Sequence, residues 1–454
     1  MSARTASDYP RSDRAQRATF GPAPGLRPNV APDPYPSDEA ELRVPSIDEQ
    51  VAQIMLGAEF GDEQLAATME RELHDRIAQS QRTGTPLRVY AGYDPSKPDL
   101  HLGHSITIRK LRQFQNFGHE VFFLVGTFTA LVGDTSDKLE GRPRLDRETV
   151  LAAARTYAEQ AFTILDPERT KVVYNNEWLD RLSAHDLFEL ATAFTVQQFM
   201  ARDNYRRRVA AGDPVGLHEV LYPLLQGYDA VHLRADVQIG ATEQLFNIMA
   251  GRRLQELRGQ RGCICITYPV LVGTDGKDRM SKSRGNYIGL TEAPTEQYGK
   301  VMSISDDTMR QWLRFVTDWT PAQVAQRVGA LDDGSVHPME LKKELAAEVV
   351  RMYHGDAAAH AAAAEFANVH QRGALPTDIE TIDATAFETI VDLLARLPTV
   401  GSKRQARRLV DDGAVEFAGK RVDDPNLVVE HEGVLRVGPR RFWNVRVPHT
   451  DSRT

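Results

Sequence analysis

Residues 87–125 open with Leu87-Arg-Val-Tyr-Ala-Gly-Tyr93-Asp-Pro-Ser-Lys-Pro98-Asp-Leu-His101-Leu-Gly-His104 and close with Gly118-His-Glu-Val121-Phe-Phe-Leu-Val125. Leu87 to Tyr93 has the β-branched and aromatic content of a strand, and Pro95 and Pro98 keep the following loop from continuing as a helix. Leu111, Phe114 and Phe117 then recur at helical spacing, with Gly118 where a C-terminal cap belongs. Val121 to Val125 is an uninterrupted apolar run, as in a strand buried on both faces. Strand, helix and strand within about 40 residues make a βαβ unit, and therefore predict an α/β fold with a parallel sheet.

Outward from this unit the chain looks globular. Its 454 residues, 41% hydrophobic, leave room for two or three domains with separate cores. A formal net charge of -8 excludes a surface coated with positive charge to grip nucleic acid, so contact with RNA needs a local basic patch. The two cysteines, Cys263 and Cys265, alternate within an apolar run, which places both thiols on one face of a strand. That pattern predicts buried strand residues rather than a disulfide or zinc framework, as expected of a reducing compartment. The N-terminus lacks the apolar core of a signal peptide, and no apolar run reaches the roughly 18 residues of a membrane span. A cytoplasmic protein with no membrane partner is expected.

Residues 1–45, rich in Pro, Arg, Asp and Ser, read as a disordered tail. Helical patterning begins at Ile47, and a second helix is expected over 217–230. Residues 235–275 predict short apolar strands and turns. From about residue 305 the pattern is helical through Ala357–Ala364, and from Phe387 to Val447 it becomes a helical pair followed by short strands and Gly turns. The expected division is a tail at 1–45, a nucleotide-fold catalytic domain at 46–305, a helical domain at 306–385 and a small α+β domain at 386–454.

A helix opening at His104 directly after a strand and tight loop would aim unpaired N–H groups at a phosphate. His101 and His104 can add imidazole donors, and Gly103 lets a ligand approach the backbone. The tetrapeptide alone fits two unrelated surface histidines or an incidental metal pair equally well. Gly276-Lys-Asp-Arg-Met-Ser-Lys-Ser-Arg-Gly-Asn286 is a Gly-bounded cationic loop: a solvated turn, or a mobile clamp in which Lys282 neutralises a leaving pyrophosphate. Further features are a helix stripe and a basic helix. Tyr222, Gln226 and Asp229 share one face of the 217–230 helix, opposite Leu221, Leu224, Leu225 and Tyr228, either as a solvated surface or as one wall of a small-molecule pocket. Ser402-Lys-Arg-Gln-Ala-Arg-Arg-Leu409 sets Lys403, Arg404, Arg407 and Arg408 along one side of a short helix, a solvated face or a phosphate-backbone contact.

Together, His101-Leu-Gly-His104 and Arg279-Met-Ser-Lys-Ser283 resemble the paired signatures of the class I aminoacyl-tRNA synthetases, in the same order. Tyr90-Ala-Gly-Tyr-Asp-Pro95 and Leu131-Val-Gly-Asp134 narrow the resemblance to the tyrosyl-tRNA synthetases of bacterial type, from about residue 46 onward. The resemblance implies a Rossmann-like parallel-sheet catalytic domain, an α-helical domain on the anticodon side and an S4-type RNA-binding module, to which Val437-Gly-Pro-Arg-Arg-Phe442 is also similar. It implies that L-tyrosine is activated by ATP, with Mg²⁺ bound on the nucleotide and no protein metal site, and is passed to tRNA(Tyr) by a homodimer.

Carried over by motif, Tyr90 and Asp229 would meet the phenolic hydroxyl, while Asp134, Tyr222 and Gln226 would hold the α-ammonium group. Ser96, His101, His104 and Lys282 would surround the phosphates. Gly92, Asp94, Gly103, Glu243, Gln244, Met280 and Lys282 would bind ATP, and Lys403, Arg404, Arg407 and Arg408 would bind RNA. Gly240-Ala-Thr-Glu-Gln244 departs from the family's Gly-Gly-(Ser or Thr)-Asp-Gln. Glu243 keeps the charge for the ribose hydroxyls but moves it by one methylene, and Ala241 adds a methyl. Two alternatives remain on sequence alone: a paralogue activating a modified tyrosine or another aromatic amino acid, and a non-catalytic RNA-binding relative.

Overall fold

The computed structural model describes residues 45–95, 99–135, 145–371, 379–385, 387–397, 399–438 and 441–447. The expected 1–45 tail lies almost entirely outside them, and so does Ser96. The predicted βαβ unit is present, with β1 at Arg88–Tyr93 and β2 at Glu120–Val125. β3 (Thr170–Tyr174), β4 (Val237–Ala241) and β5 (Ile264–Tyr268) complete a parallel sheet in the order β3-β2-β1-β4-β5. Val89 of β1 lies opposite Val121 on one side and Val237 on the other. The chain steps outward from β1 to β3 and then returns to the far side of β1, so the direction of winding reverses between β1 and β4. In open α/β sheets a crevice forms at such a reversal, beyond the C-terminal ends of the strands. The loop after Tyr93 and the turn after Ala241 both leave the sheet there.

The connecting helix spans Leu102–Asn116, opening two residues before the expected His104. The cause is local: His101 Nδ1 accepts the Gly103 backbone N–H at 3.1 Å, making the histidine itself the N-cap. At the other end Phe117 is the C-cap and Gly118 takes φ +88°, as its position predicted. The expectation of only strands and turns over 235–275 is corrected by a helix at Leu245–Leu257. Its buried face carries Asn247 and Gln255 beside Ile248 and Leu254, and these amides interrupt the apolar period that marks a buried helix. The second expected helix runs a turn further, Leu217–Leu233. Cys263 and Cys265 are both fully buried, Cys265 within β5 and Cys263 just before it.

Helices at Asp306–Phe315, Pro321–Asp332, Pro338–His354 and Asp356–Gln371 follow the sheet. One cluster of buried side chains runs from Val51 to Ala362. A second, from Ala384 to Val445, belongs to helices Ile390–Arg396 and Lys403–Asp411 and a mixed sheet. That sheet comprises β6 (Glu380–Asp383), β7 (Val415–Phe417), β8 (Lys420–Arg421), β9 (Gly433–Val437) and β10 (Arg441–Arg446), ordered β6-β10-β9-β7-β8. Among the described residues no helix is long and apolar enough to cross a membrane.

Candidate active site

The histidine turn and the cationic loop meet although 175 residues separate His104 from Arg279. Leu102 N–H donates to Ile288 O at 2.9 Å and Leu290 N–H to Leu100 O at 3.1 Å, which stitches the tail of the 276–286 loop to the histidine turn. The His101 and His104 rings lie 4.0 Å apart. Burial, then the neighbouring His104 and Lys282, hold His101 well below the usual imidazole range. His104 is lowered to about 4 by burial and by Lys282. Both are therefore neutral donor–acceptor groups at neutral pH rather than cations. Gly103 serves a purpose its motif did not reveal. A Cβ there would sit 2.9 Å from the His101 ring, so the glycine makes room for the histidine that caps the helix.

Within the loop, Asn286 acts as the internal brace: its Oδ1 accepts Ser281 N–H at 2.8 Å and its Nδ2 donates to Asp275 at 2.7 Å. Met280 is 4% exposed, and its N–H donates to Leu271 O at 2.7 Å. Two cations tie the loop outward, Lys282 to Asp99 and Arg279 to Glu243. Gly92 lies exposed near the C-terminal end of β1.

The other half of the site is an almost dry polar cluster. Tyr90 is 1% exposed, and its hydroxyl has no hydrogen-bond partner among the described residues. Burial and the nearby Asp229 push its pKa well up, so the phenol stays protonated. Asp229, 2% exposed, accepts from Trp178 Nε1 at 2.8 Å and from Asn175 Nδ2 at 3.3 Å. Desolvation outweighs these two donors and raises its pKa to about 8. Tyr222 donates to Asp94 Oδ2 at 2.8 Å, and Thr129 donates to Asp94 Oδ1 at 2.7 Å. Gln244 Nε2 donates to Asp134 at 2.5 Å, and Asn247 Nδ2 donates to Gln226 Oε1 and Gln244 Oε1, each at 3.1 Å.

The expected tyrosine- and nucleotide-binding residues among those described thus fall into two groups, linked through the neighbouring Glu243 and Gln244 to Arg279 on one side and Asp134 on the other. Asp94 and Gln244, expected on the nucleotide side, have their side chains engaged with Tyr222 and Asp134. Sequence reasoning missed Trp178, Asn175, Thr129 and Asn247. Trp178 and Asn175 lie 51 and 54 positions from the carboxylate they serve, so no local period could have found them. His232 stacks on Trp178 with ring centroids 4.3 Å apart.

Residues 82–371 match the family model of tRNA synthetases class I (W and Y), and residues 372–437 match the tyrosine–tRNA ligase SYY-like C-terminal domain. The chain is 42% identical over 408 residues to the tyrosine–tRNA ligase of Desulfotalea psychrophila, covering 89% of this chain and 99% of that one. The chain belongs to the tyrosine–tRNA ligase family. The tyrosine–tRNA ligase of Thermotoga maritima is 44% identical over 378 residues, covering 83% of this chain and 93% of its own. Among solved structures, a tyrosyl-tRNA synthetase complexed with L-tyrosine from Archaeoglobus fulgidus superposes with a TM-score of 0.54 at 25% identity, over 70% of this chain and all of that one.

The basic helix packs on the second cluster of buried side chains. Lys403, Arg404, Arg407 and Arg408 are all exposed on Lys403–Asp411 while Ala406 and Val410 are buried beneath them. Lys403 pairs with Asp392 at 2.5 Å and Arg408 with Asp412 at 3.6 Å. Part of the 437–442 segment, residues 439 and 440, lies outside the described residues. Among the described residues no group of three or more His, Cys, Asp or Glu could hold a metal ion.

Proposed function

We infer that this chain activates L-tyrosine with ATP and transfers the tyrosyl group to the 3′ end of tRNA(Tyr). The observation that carries the reading is the Tyr90 hydroxyl, buried beside Asp229 with no partner of its own among the described residues. A buried donor left unsatisfied costs about 1–3 kcal/mol, and a substrate phenol would relieve it. The acceptors at Asp134 and Gln226 suit the α-ammonium group, which turns the substrate carboxylate toward the histidine turn.

In the first step a carboxylate oxygen of tyrosine attacks the α-phosphorus of ATP in line. The bond from that phosphorus to the bridging oxygen breaks, and pyrophosphate leaves. No enzyme nucleophile takes part. His101, His104 and Ser96 would orient the phosphates through neutral donors, Lys282 would meet the charge that grows on the leaving group, and Glu243 would hold the ribose hydroxyls. Mg²⁺ would arrive bound to the phosphates, offsetting their charge; the donor set described above is too sparse to cage the ion. In the second step a terminal ribose hydroxyl of tRNA attacks the tyrosyl carbonyl and AMP leaves.

The same reading takes Lys403, Arg404, Arg407 and Arg408 as phosphate-backbone contacts. It divides the described chain into catalytic, helical and S4-type parts at about residues 305 and 385, pairs two subunits as a homodimer, and places the enzyme with its tRNA in the cytoplasm. ATP-dependent charging of tRNA with labelled tyrosine tests it: charging is expected, and its absence with intact tRNA(Tyr) overturns the reading.

A further inference from the structure

Asn247 lies on the Leu245–Leu257 helix and is 0% exposed. It stands at the centre of a chain of amides whose direction is set by one charge. The Asp134 carboxylate can only accept, so Gln244 must turn its Nε2 toward it, at 2.5 Å. The Gln244 oxygen is thereby turned to Asn247, whose Nδ2 donates to it at 3.1 Å and, with its other hydrogen, to Gln226 Oε1 at 3.1 Å. Reversing the Asn247 amide would set an oxygen against both glutamine oxygens, so the polarity runs one way from Asp134 to Gln226.

We propose that Asn247 is a positioning residue that gathers the carbonyl oxygens of Gln226 and Gln244 at its own amide, so that with the Asp134 carboxylate bound by Gln244 Nε2 they make an acceptor cluster for the α-ammonium group of the substrate. Each carbonyl oxygen has a second lone pair, so donation from Asn247 does not exhaust it. Without that donor the Gln226 amide is free to turn its Nε2 inward, presenting a donor to an ammonium that needs acceptors. This inference rests on the reading of the site as a tyrosine pocket.

Two fragments of tyrosine separate the effect from general loosening: tyramine keeps the ammonium and lacks the carboxylate, and 3-(4-hydroxyphenyl)propionate keeps the carboxylate and lacks the ammonium. Their inhibition constants are measured against tyrosine-dependent ATP–pyrophosphate exchange, with full-length wild type and with Asn247→Leu, which is near in size and has no donor. The expected result is tyramine weakened about tenfold, the propionate changed by no more than about twofold, and the KM for tyrosine raised while that for ATP holds. Should the leucine variant not fold, Asn247→Ser, which keeps one donor, carries the same comparison with an expected shift of about threefold. Equal weakening of both fragments would make the role structural and overturn the proposal, as would no weakening of either. A wild type that tyrosine does not stimulate would instead overturn the underlying reading of the pocket.

Discussion

Arg279 Nη1 lies 3.0 and 3.1 Å from the two carboxylate oxygens of Glu243, joining the 276–286 loop to the turn that follows β4. The side chains are 29% and 33% exposed, so solvent screens the pair and its worth is at most about 1 kcal/mol. The family's shorter aspartate reaches one methylene less far, and Glu243 is the residue that makes this contact. In the ATP-free protein, Glu243→Gln is expected to speed tryptic cleavage after Lys277, Lys282 and Arg284 roughly fivefold, the equivalent of that energy. Unchanged cleavage would mean that the loop is held elsewhere, for example by Lys282 at Asp99 or by the Met280 N–H at Leu271 O.

Asp229 gives stability a pH dependence of definite sign. Its pKa rises from 3.8 to about 8 on folding, so between those values the folded protein holds a proton that the unfolded chain has released. Stability attributable to this group is therefore present at low pH and lost as pH rises toward 8. Asp229→Asn has no such proton, and its thermal midpoint should gain on the wild type between pH 5 and pH 8, by on the order of 2 kcal/mol or more in stability. The same variant should bind tyrosine more weakly. A constant difference in midpoint across that range would show that Asp229 ionises as an ordinary carboxyl.

The histidines give the opposite kind of result. His104, lowered to about 4, and His101, held well below the usual imidazole range by burial, are already neutral at pH 6. The adenylation rate should therefore show no inflection near pH 6.5 belonging to either. If His104 donates to the phosphates as proposed, His104→Ala should cut the rate about a hundredfold with little change in the KM for tyrosine. An inflection at pH 6.5 that this substitution abolishes would contradict the neutral assignment.

How much of this was legible in the sequence depends on how far apart the partners are. The βαβ unit was readable because Leu87–Tyr93, Leu111–Phe117 and Val121–Val125 each carry a local period. The stripe Tyr222, Gln226 and Asp229 was readable for the same reason. The start of the histidine helix was misplaced because whether His101 caps or merely precedes a helix depends on one side-chain torsion. The Leu245–Leu257 helix was hidden by its buried amides, which serve Gln226, Gln244 and the backbone of Ala230 and Ala235 rather than the helix pattern. Trp178 and Asn175 reach Asp229 only where the segment that follows β3 meets the Leu217–Leu233 helix, which no local spacing encodes.

The basic helix makes a prediction independent of the adenylation site. Replacing Arg404 and Arg407 by Gln removes two exposed charges from the Lys403–Asp411 helix without touching the buried Ala406 and Val410. Binding of tRNA should weaken about tenfold at moderate salt, and the slope of log K against log salt should fall by roughly 2. Tyrosine-dependent pyrophosphate exchange should be unchanged. An unaltered salt slope would show that this face does not meet the RNA backbone.

In the proposed reaction the buried Tyr90 and Asp229 recognise the substrate phenol, and the histidine turn handles the phosphates. ATP–pyrophosphate exchange measured across tyrosine, phenylalanine, tryptophan and ring-modified tyrosines tests it most directly. Phenylalanine would leave the Tyr90 hydroxyl unsatisfied and Asp229 with its Trp178 and Asn175 donors alone, losing two contacts of about 1–3 kcal/mol each, so tyrosine should exceed it by at least about thirtyfold in kcat/KM. No stimulation by tyrosine, or an equal response to phenylalanine, would contradict the account.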